Sequence, residues 1–517
     1  MLTLRSYALG EWRAAGGRAA TLVNPATEEP VGEVARGDLD RAAVLRHARE
    51  AGGSALRAMS FAERAERLGR MSEVIQEARE ELIELAVRNG GNTRSDAKFD
   101  VDGASFSLSA YAEVGAAFDA SHALSDGPGV PLGRSPRFHG QHVLVPRRGV
   151  AVHVNAFNFP AWGFAEKAAV ALLAGMPVVT KPATSSALVA CRIVERVVER
   201  GLLPEGALQL LTDAGDLLDH LGPQDVLAFT GSGATGRHVR GLPSVIRNAV
   251  RVNVEADSLN AAVLGPDAEP DSELLDYFLK DVVRDVTQKA GQKCTAIRRV
   301  LVPVPLLSRV REGLADLLGA VTVGNPAEPG VRMGPVATAS QLEDVLGGIG
   351  ELSACGRLLL GGAERVPGVG APEGKGFFVA PTLVEVAGEA AAAAVHEREV
   401  FGPVATLVPY PGHAAAAVDL VARGQGGLVS SVYSDDTDFA TELALGLAPY
   451  HGRVFLGSSR IAELSPGPGT VLPSLVHGGP GRAGGGEELG GERGLAFYMQ
   501  RVALQGARPV VERIAGR

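Results

Sequence analysis

The chain has 517 residues, of which 46% are hydrophobic and 21% charged, and its formal net charge is −9. Such a length gives room for two or three domains with large cores. The acidic balance speaks against wholesale binding to nucleic acid or to an acidic membrane surface. Cys191, Cys294 and Cys355 are three in number, too sparse and uneven for a disulfide framework, and no zinc-type spacing joins them to the 11 histidines, so neither a metal site nor an oxidising compartment is expected. The start of the chain lacks a basic segment leading into an apolar core, and no run of about 18 apolar residues occurs, so a cytoplasmic protein is expected.

Helical periodicity dominates from residue 38 to about residue 117. A polar, Gly- and Pro-rich stretch over 125–141 then breaks it and reads as an excursion or arm. From residue 143 the pattern alternates: strands at 150–154, 177–180, 207–211 and 226–229, with helices at 164–173 and 188–198 between the first three. Alternation on this scale predicts a parallel α/β sheet covered on both faces. A second alternating unit follows Cys294 and runs to about residue 460. Beyond it, the glycine-rich stretch 478–491 is unsuited to a helix or an interior strand. It is either a flexible loop or backbone that approaches another surface closely.

Cys294 lies in Gly291-Gln292-Lys293-Cys294-Thr295, after a helical pattern over 271–290 in which Leu275, Phe278, Val282 and Val286 recur, and before an apolar strand pattern at 300–304. A thiol held just past a helix that ends in glycine suits a covalent catalyst, because the sulfur must be rigidly placed and still reachable. Core filling is the plainer alternative for a lone cysteine. Upstream, Gly231-Ser232-Gly233-Ala-Thr-Gly236 forms a G-x-G-x-x-G between a strand and a helix, with Glu255 19 residues beyond Gly236 (255 − 236). A dinucleotide fingerprint would give Glu255 the ribose of NAD. That fingerprint normally opens its sheet, however, and here three strand candidates come first.

The motifs fit one family together. Val154-Asn-Ala-Phe157-Asn158-Phe159-Pro160, Lys181-Pro182-Ala183, Phe229-Thr-Gly231-Ser232, Glu255, Gly291-Gln-Lys-Cys294 and Glu399-Val-Phe401-Gly402-Pro403 occur in the order and approximate spacing of the aldehyde dehydrogenase superfamily, which the chain resembles over almost its entire length. Within it, Glu255-Ala-Asp-Ser-Leu-Asn260, Thr287–Arg299 and His477–Glu488 look most like one branch. That branch holds the dehydrogenase half of the phenylacetyl-CoA ring-opening proteins and the stand-alone dehydrogenases of 3,4-dehydroadipyl-CoA semialdehyde in aerobic benzoyl-CoA breakdown. With the chain taken up by the dehydrogenase resemblance, no fused hydratase domain is expected.

The resemblance implies an α/β aldehyde dehydrogenase fold: a Rossmann-like cofactor domain (1–124 and 142–256), an α/β catalytic domain (257–460) and a β oligomerisation arm (125–141 and 485–517) that makes a homodimer or homotetramer. By the same resemblance Cys294 attacks the aldehyde, Asn158 and the Cys294 N–H stabilise the oxyanion, and Glu255 activates the hydrolytic water. The family's usual residues after that glutamate are Leu-Gly-Gly-Lys-Ser-Pro-Asn, whereas here they are Ala-Asp-Ser-Leu-Asn; anchoring on Ser258 would put Asn253 in the glutamate's place. An asparagine is no base, so Glu255 is preferred. Its distance from the nucleophile in sequence (294 − 255 = 39) is longer than the family's usual one.

Lys181, Thr184, Ser185, Gly231, Ser232, Glu399 and Phe401 are implied cofactor contacts. Relatives that prefer NAD often carry a glutamate where Thr184 falls; a hydroxyl there donates to a 2′-phosphate instead of repelling it, with Lys181 adding charge, so NADP is expected and NAD is possible. Thr184 and Ser185 also suit plain helix capping. The expected reaction is NADP-linked oxidation of a CoA-thioester semialdehyde to the acid. The alternatives are a free aliphatic or aromatic aldehyde, or an inactive oligomeric scaffold. Arg298, Arg299 and Arg482 stand out as cations, but surface or structural arginines are commoner than ligand sites.

Overall fold

The computed structural model describes residues 2–13, 20–35, 39–386 and 393–516; the expected start of the first helical run at residue 38, and residues 1 and 517 at the chain ends, lie outside the described residues. The first helical layer follows from its caps. Ser60 and Glu63 form a reciprocal capping box at the start of Phe61–Glu77. Gly91, at φ 66°, ends Arg79–Gly90 in the left-handed conformation, and the Thr93 hydroxyl caps Arg94–Ala116. Leu68, Met71 and Ile75 pack with Val101, Ala104 and Leu108 in one core. Gly103 lets the long helix press onto Trp162, since a Cβ there would lie 2.0 Å from the indole ring. That contact seats the helix Trp162–Leu173, which carries two charged residues of the site.

Two seven-stranded sheets form the body. The first runs Arg251–Glu255, Val226–Thr230, Ala151–Val154, Val178–Lys181, Leu208–Leu210, Ser6–Ala8, Glu11–Arg13; its first five strands are parallel and the last two antiparallel. Its parallel strands are mostly buried, as a sheet covered on both faces requires, and Arg251–Glu255 at its edge carries the most polar side chains. Strand order reverses between Ala151–Val154 and Val226–Thr230, a switch point that opens a crevice at the strands' carboxyl ends. Asn158, Lys181, Gly231 and Glu255 all sit at or just past those ends.

The second sheet runs Arg357–Leu360, Thr382–Glu385, Val404–Tyr410, Arg299–Pro303, Ala261–Leu264, Gly427–Tyr433, His451–Gly457, with only the first strand antiparallel. The segments that lead into two of its strands, around Cys294 and around Glu399–Phe401, face the carboxyl edge of the first sheet. A third sheet pairs Phe138–Pro146 antiparallel with Met499–Ala507, and with Leu124–Ser125 and Val130–Pro131 on its other side. Its long strand reaches Pro146, past the expected 125–141.

The glycine-rich stretch forms an antiparallel hairpin, Val476–Gly479 with Gly486–Leu489. Of the two readings, close approach is the one realised. A Cβ on Gly479 would lie 2.1 Å from the Gly427 carbonyl oxygen, and one on Gly484 2.2 Å from that of Val254. The hairpin is thereby pressed against both sheets, with His477 and Glu488 opposite each other in register.

Candidate active site

A pocket lies between the two sheets, lined by the polar side chains of Asn158, Glu166, Lys167, Thr230, Glu255, Cys294 and His477 and by the apolar ones of Phe99, Phe159, Trp162 and Val471. Cys294 is reached through an unusual backbone. The helix Glu273–Thr287, started by a Ser272 cap, gives way to a 3-10 turn in which Lys289, Ala290 and Gly291 have φ of 54°, 53° and 69°. Two non-glycine residues in that region cost energy and persist only when their surroundings over-determine them. Here they do: Gln292 donates to the Lys289 carbonyl at 3.0 Å and accepts from Ala337 N–H at 3.0 Å, and Lys289 Nζ sits 4.3 Å above the Phe159 ring. Beyond the sulfur, Asn260 Nδ2 donates to the carbonyls of Cys294 and Ala296 at 2.8 Å each.

Asn158 is buried and donates through Nδ2 to the Gln292 carbonyl at 3.0 Å. One of its two amide hydrogens is thereby used to orient the group, and the amide has a second to offer in the pocket. Glu255 ends its strand inside the same pocket, within reach of the Thr230 hydroxyl at 3.4 Å and of His477 Nε2 at 3.2 Å. The ribose role that a dinucleotide fingerprint would give Glu255 therefore has no support. Asn253, the alternative anchor, lies two residues back on the same face of the strand, and its amide is spent on Glu488, to which it donates at 2.8 Å.

Charge in this pocket is unusually concentrated. Burial raises the Glu255 carboxyl, but the His477 charge and hydrogen bond, Lys167 and Cys294 outweigh it and hold the group below its ordinary value. Burial and then the Glu255 charge push the Cys294 thiol well up. His477 Nε2 is 3.9 Å from Cys294 Sγ. Lys167 Nζ, almost wholly buried, donates to Glu166 and forms an ion pair with Glu488, at 3.1 Å each. Burial raises Glu166 to about 7, with Glu488 and Glu255 adding to the effect and Lys167 opposing it.

On the cofactor side, Lys181 ends its strand, and Thr184 and Ser185 form a half-exposed 3-10 turn before Ala187–Glu199. Helix capping is not what they do: that helix starts without a side-chain cap, and Asn89 holds the Ser185 carbonyl at 2.8 Å. Gly231 follows the strand Val226–Thr230, and Ser232 caps the helix Gly233–Arg240, whose first N–H is bonded by Asp257 at 2.8 Å. Glu399 Oε1 is buried without a hydrogen-bond partner, 3.9 Å from Arg298, and burial raises this carboxyl to about 7. Phe401 packs edge-on to Phe157. An orphaned buried acceptor beside an aromatic ring fits the ribose of a nicotinamide nucleotide. The arginines noted in the sequence are scaffolding: Arg298 donates to the Gly402, Gly291 and Lys293 carbonyls, and Arg299 to those of Leu259, Leu420 and Val421.

Sequence reasoning missed His477, Lys167, Glu166, Glu488 and Asn260 as site residues. No spacing joined Cys294 to a histidine, yet Glu255, Cys294 and His477 bring their polar atoms within 4.8 Å of one another. The available signals were the adjacent Glu166-Lys167 inside an otherwise apolar helix and the branch runs that end in Asn260 and that span His477 to Glu488.

The family model for the aldehyde dehydrogenase family matches residues 12–503. The 3,4-dehydroadipyl-CoA semialdehyde dehydrogenase of Aromatoleum evansii is 44% identical over 480 residues, covering 93% of each chain. Protein MaoC of Klebsiella aerogenes is 42% identical over 34% of this chain and 50% of its own. Among solved structures, lactaldehyde dehydrogenase from Escherichia coli superposes with a TM-score of 0.84 at 25% identity, over 98% of this chain and 99% of that one. Betaine aldehyde dehydrogenase from Staphylococcus aureus in complex with NAD+ gives 0.84 at 23% identity over 98% of both chains and shares the fold. The chain belongs to the aldehyde dehydrogenase family.

Proposed function

We propose that this aldehyde dehydrogenase oxidises the aldehyde end of a CoA-bound semialdehyde, 3,4-dehydroadipyl-CoA semialdehyde or a close analogue, to the carboxylic acid with NADP. The observation that carries the chemistry is the single pocket in which Cys294, Asn158 and Glu255 converge; the likeness to the Aromatoleum evansii enzyme carries the substrate.

Cys294 adds as thiolate to the aldehyde carbon. The free hydrogen of the Asn158 amide and the Cys294 backbone N–H take the oxyanion, and loss of one such donor typically costs about 3 kcal/mol of transition-state stabilisation. Glu399, Phe401, Lys181, Thr184, Ser185, Gly231 and Ser232 would hold the nicotinamide dinucleotide, which when bound would supply the hydride acceptor that lets the Cys294 adduct become a thioester. Glu255, kept ionised by His477 and Lys167, then takes a proton from the water that attacks that thioester. The half-exposed hydroxyls of Thr184 and Ser185, with Lys181 beside them and no carboxylate in the turn, favour a 2′-phosphate over a bare ribose.

The third sheet, with Val130, Phe138 and Val502 exposed, suits an arm exchanged in a homodimer or homotetramer. The division into a cofactor domain, a catalytic domain and this arm follows the same reading. Among the described residues no helix is long and apolar enough to cross a membrane, and three free thiols suit a cytoplasmic enzyme.

Steady-state oxidation of the CoA-linked semialdehyde, compared with propanal and benzaldehyde, with NADP and with NAD, tests the whole reading. Turnover on the CoA substrate with NADP, lost in Cys294→Ala, is the expected result. Turnover confined to free aldehydes with NAD would refute both the substrate and the cofactor assignments and leave the thiol chemistry standing.

A further inference from the structure

In the mechanism above His477 only keeps Glu255 ionised, yet its Nε2 is the polar atom that touches both reacting groups: Glu255 Oε1 at 3.2 Å and Cys294 Sγ at 3.9 Å. Its side chain is 4% exposed. The hairpin that carries it is wedged in place by glycines whose neighbours leave no room for a Cβ, so the imidazole cannot easily leave that position.

We propose that His477 is a third catalytic group of this site, an imidazolium that lets negative charge reside on either Cys294 or Glu255, so that sulfur carries it during attack on the aldehyde and the carboxylate carries it during hydrolysis. The proposal rests on the reading of Cys294 as the nucleophile.

The two stages place opposite demands on the pair. For attack, the Cys294 S–H bond must break; its proton passes to Glu255, an O–H bond forms, and one unit of charge moves from carboxylate to sulfur. For hydrolysis, Glu255 must first release that proton to solvent. It then accepts one from water as the water oxygen bonds the acyl carbon, and the C–S bond breaks with its electron pair returning to sulfur. An apolar neighbour would oppose both ionised states in a buried pocket. A cation in contact with both atoms stabilises each in turn, so the shift of charge between them costs less.

The charged groups around His477 are Glu255, Glu166 and Lys167, Glu488 across the hairpin, and Arg453 from the strand His451–Gly457. Burial disfavours the imidazolium, but Glu255 and then Glu166 outweigh it and Arg453, and its pKa is raised above the ordinary value. The same three atoms lie close enough to hold a metal ion. A metal bonded to the sulfur would draw off charge that makes the thiolate a nucleophile, whereas an imidazolium stabilises that charge without a bond to be broken first.

The test is the rate of alkylation by iodoacetamide in the full-length enzyme, without cofactor or substrate, from about pH 6 to pH 9, with the adduct located by peptide mass mapping. His477→Gln keeps an N–H near the Nε2 position and the packing volume but cannot carry charge; His477→Phe removes both. Both variants are expected to alkylate Cys294 about tenfold or more slowly at neutral pH, the profile moving up by about one pH unit or more. Single-turnover hydride transfer should slow likewise and recover as pH rises, which a packing defect would not do. Wild-type alkylation that spares Cys294 would overturn the nucleophile reading and this proposal with it. Alkylation of Cys294 in both variants with the wild-type profile would overturn the role of His477 alone.

Discussion

Two buried charge clusters flank Cys294, and they are built on different rules. Beneath the loop, Lys293 pairs one-to-one with Asp285 at 2.7 Å, both side chains 1% exposed, with Gln288 adding a bond at 2.8 Å. Inside the pocket, Lys167 is shared by Glu166 and Glu488 while Glu255 leans on His477. The first cluster balances its charges and fixes the loop. The second leaves carboxylates competing for too few cations, and there the shifts are large: Glu166 is pushed up, Glu255 down, Cys294 well up. Matched charge serves as an anchor, and unmatched charge serves as a reservoir of reactivity.

Breaking the matched pair should have the largest effect. Lys293→Met strands Asp285 without its counter-ion and is expected to destabilise the fold by about 3–5 kcal/mol, read as a lowered denaturation midpoint in urea. A loss below about 1 kcal/mol would place the pair in the weak class typical of exposed ion pairs and erase the contrast. Asn158→Ala comes next. It removes the proposed oxyanion donor and should slow acylation about 10²–10³-fold, measured by rapid-mixing absorbance of the reduced nucleotide. The melting temperature should change little, because the Asn158 bond to Gln292 is one of several that hold the loop.

The unmatched cluster answers to pH. A carboxyl raised from 4.5 to about 7, as Glu166 is, binds its proton more tightly in the folded protein than in the unfolded chain. The stability it contributes is therefore complete below pH 4.5 and is lost as pH rises through about 7. Urea midpoints should accordingly carry a falling contribution across that window, on the order of 1 kcal/mol per pH unit at most. Glu166→Gln should flatten it. An unchanged slope in the variant would mean that another group titrates there.

This contrast also explains what the sequence could and could not disclose. Cys294, Glu255 and Asn158 stand in local motifs whose backbone settings, a strand end or a turn after a helix, are written in neighbouring residues. The alternation of strands and helices was legible for the same reason, with ends displaced by a residue or two where caps such as Ser272 decide them. His477 and Glu488 were visible as the two ends of a glycine-rich run that marks one branch of the family, with no role in the site attached to either. Their place in the pocket depends on a hairpin that contacts both sheets through bare backbone, and no spacing rule reports that. The three successive left-handed residues before Cys294 were equally hidden, since Lys289 and Ala290 are residues that rarely adopt that conformation.

The cofactor crevice offers the mildest perturbation and a control for both clusters. Thr184 lies in the half-exposed turn after the strand Val178–Lys181, away from Lys293 and from the pocket lining. Thr184→Glu adds a carboxylate where a 2′-phosphate would rest, and two anions in a partly solvated site repel without disturbing the fold. NADP affinity is expected to fall about tenfold, some 1.4 kcal/mol, while NAD affinity holds or improves as the new carboxylate accepts from the ribose hydroxyls. Fluorescence titration of each nucleotide against wild type and variant decides it. Equal loss for both nucleotides would put Thr184 against a shared part of the cofactor and remove the ground for NADP preference. A selective loss with unchanged Cys294 alkylation would show that nucleotide choice and thiol reactivity are set by separate groups of residues.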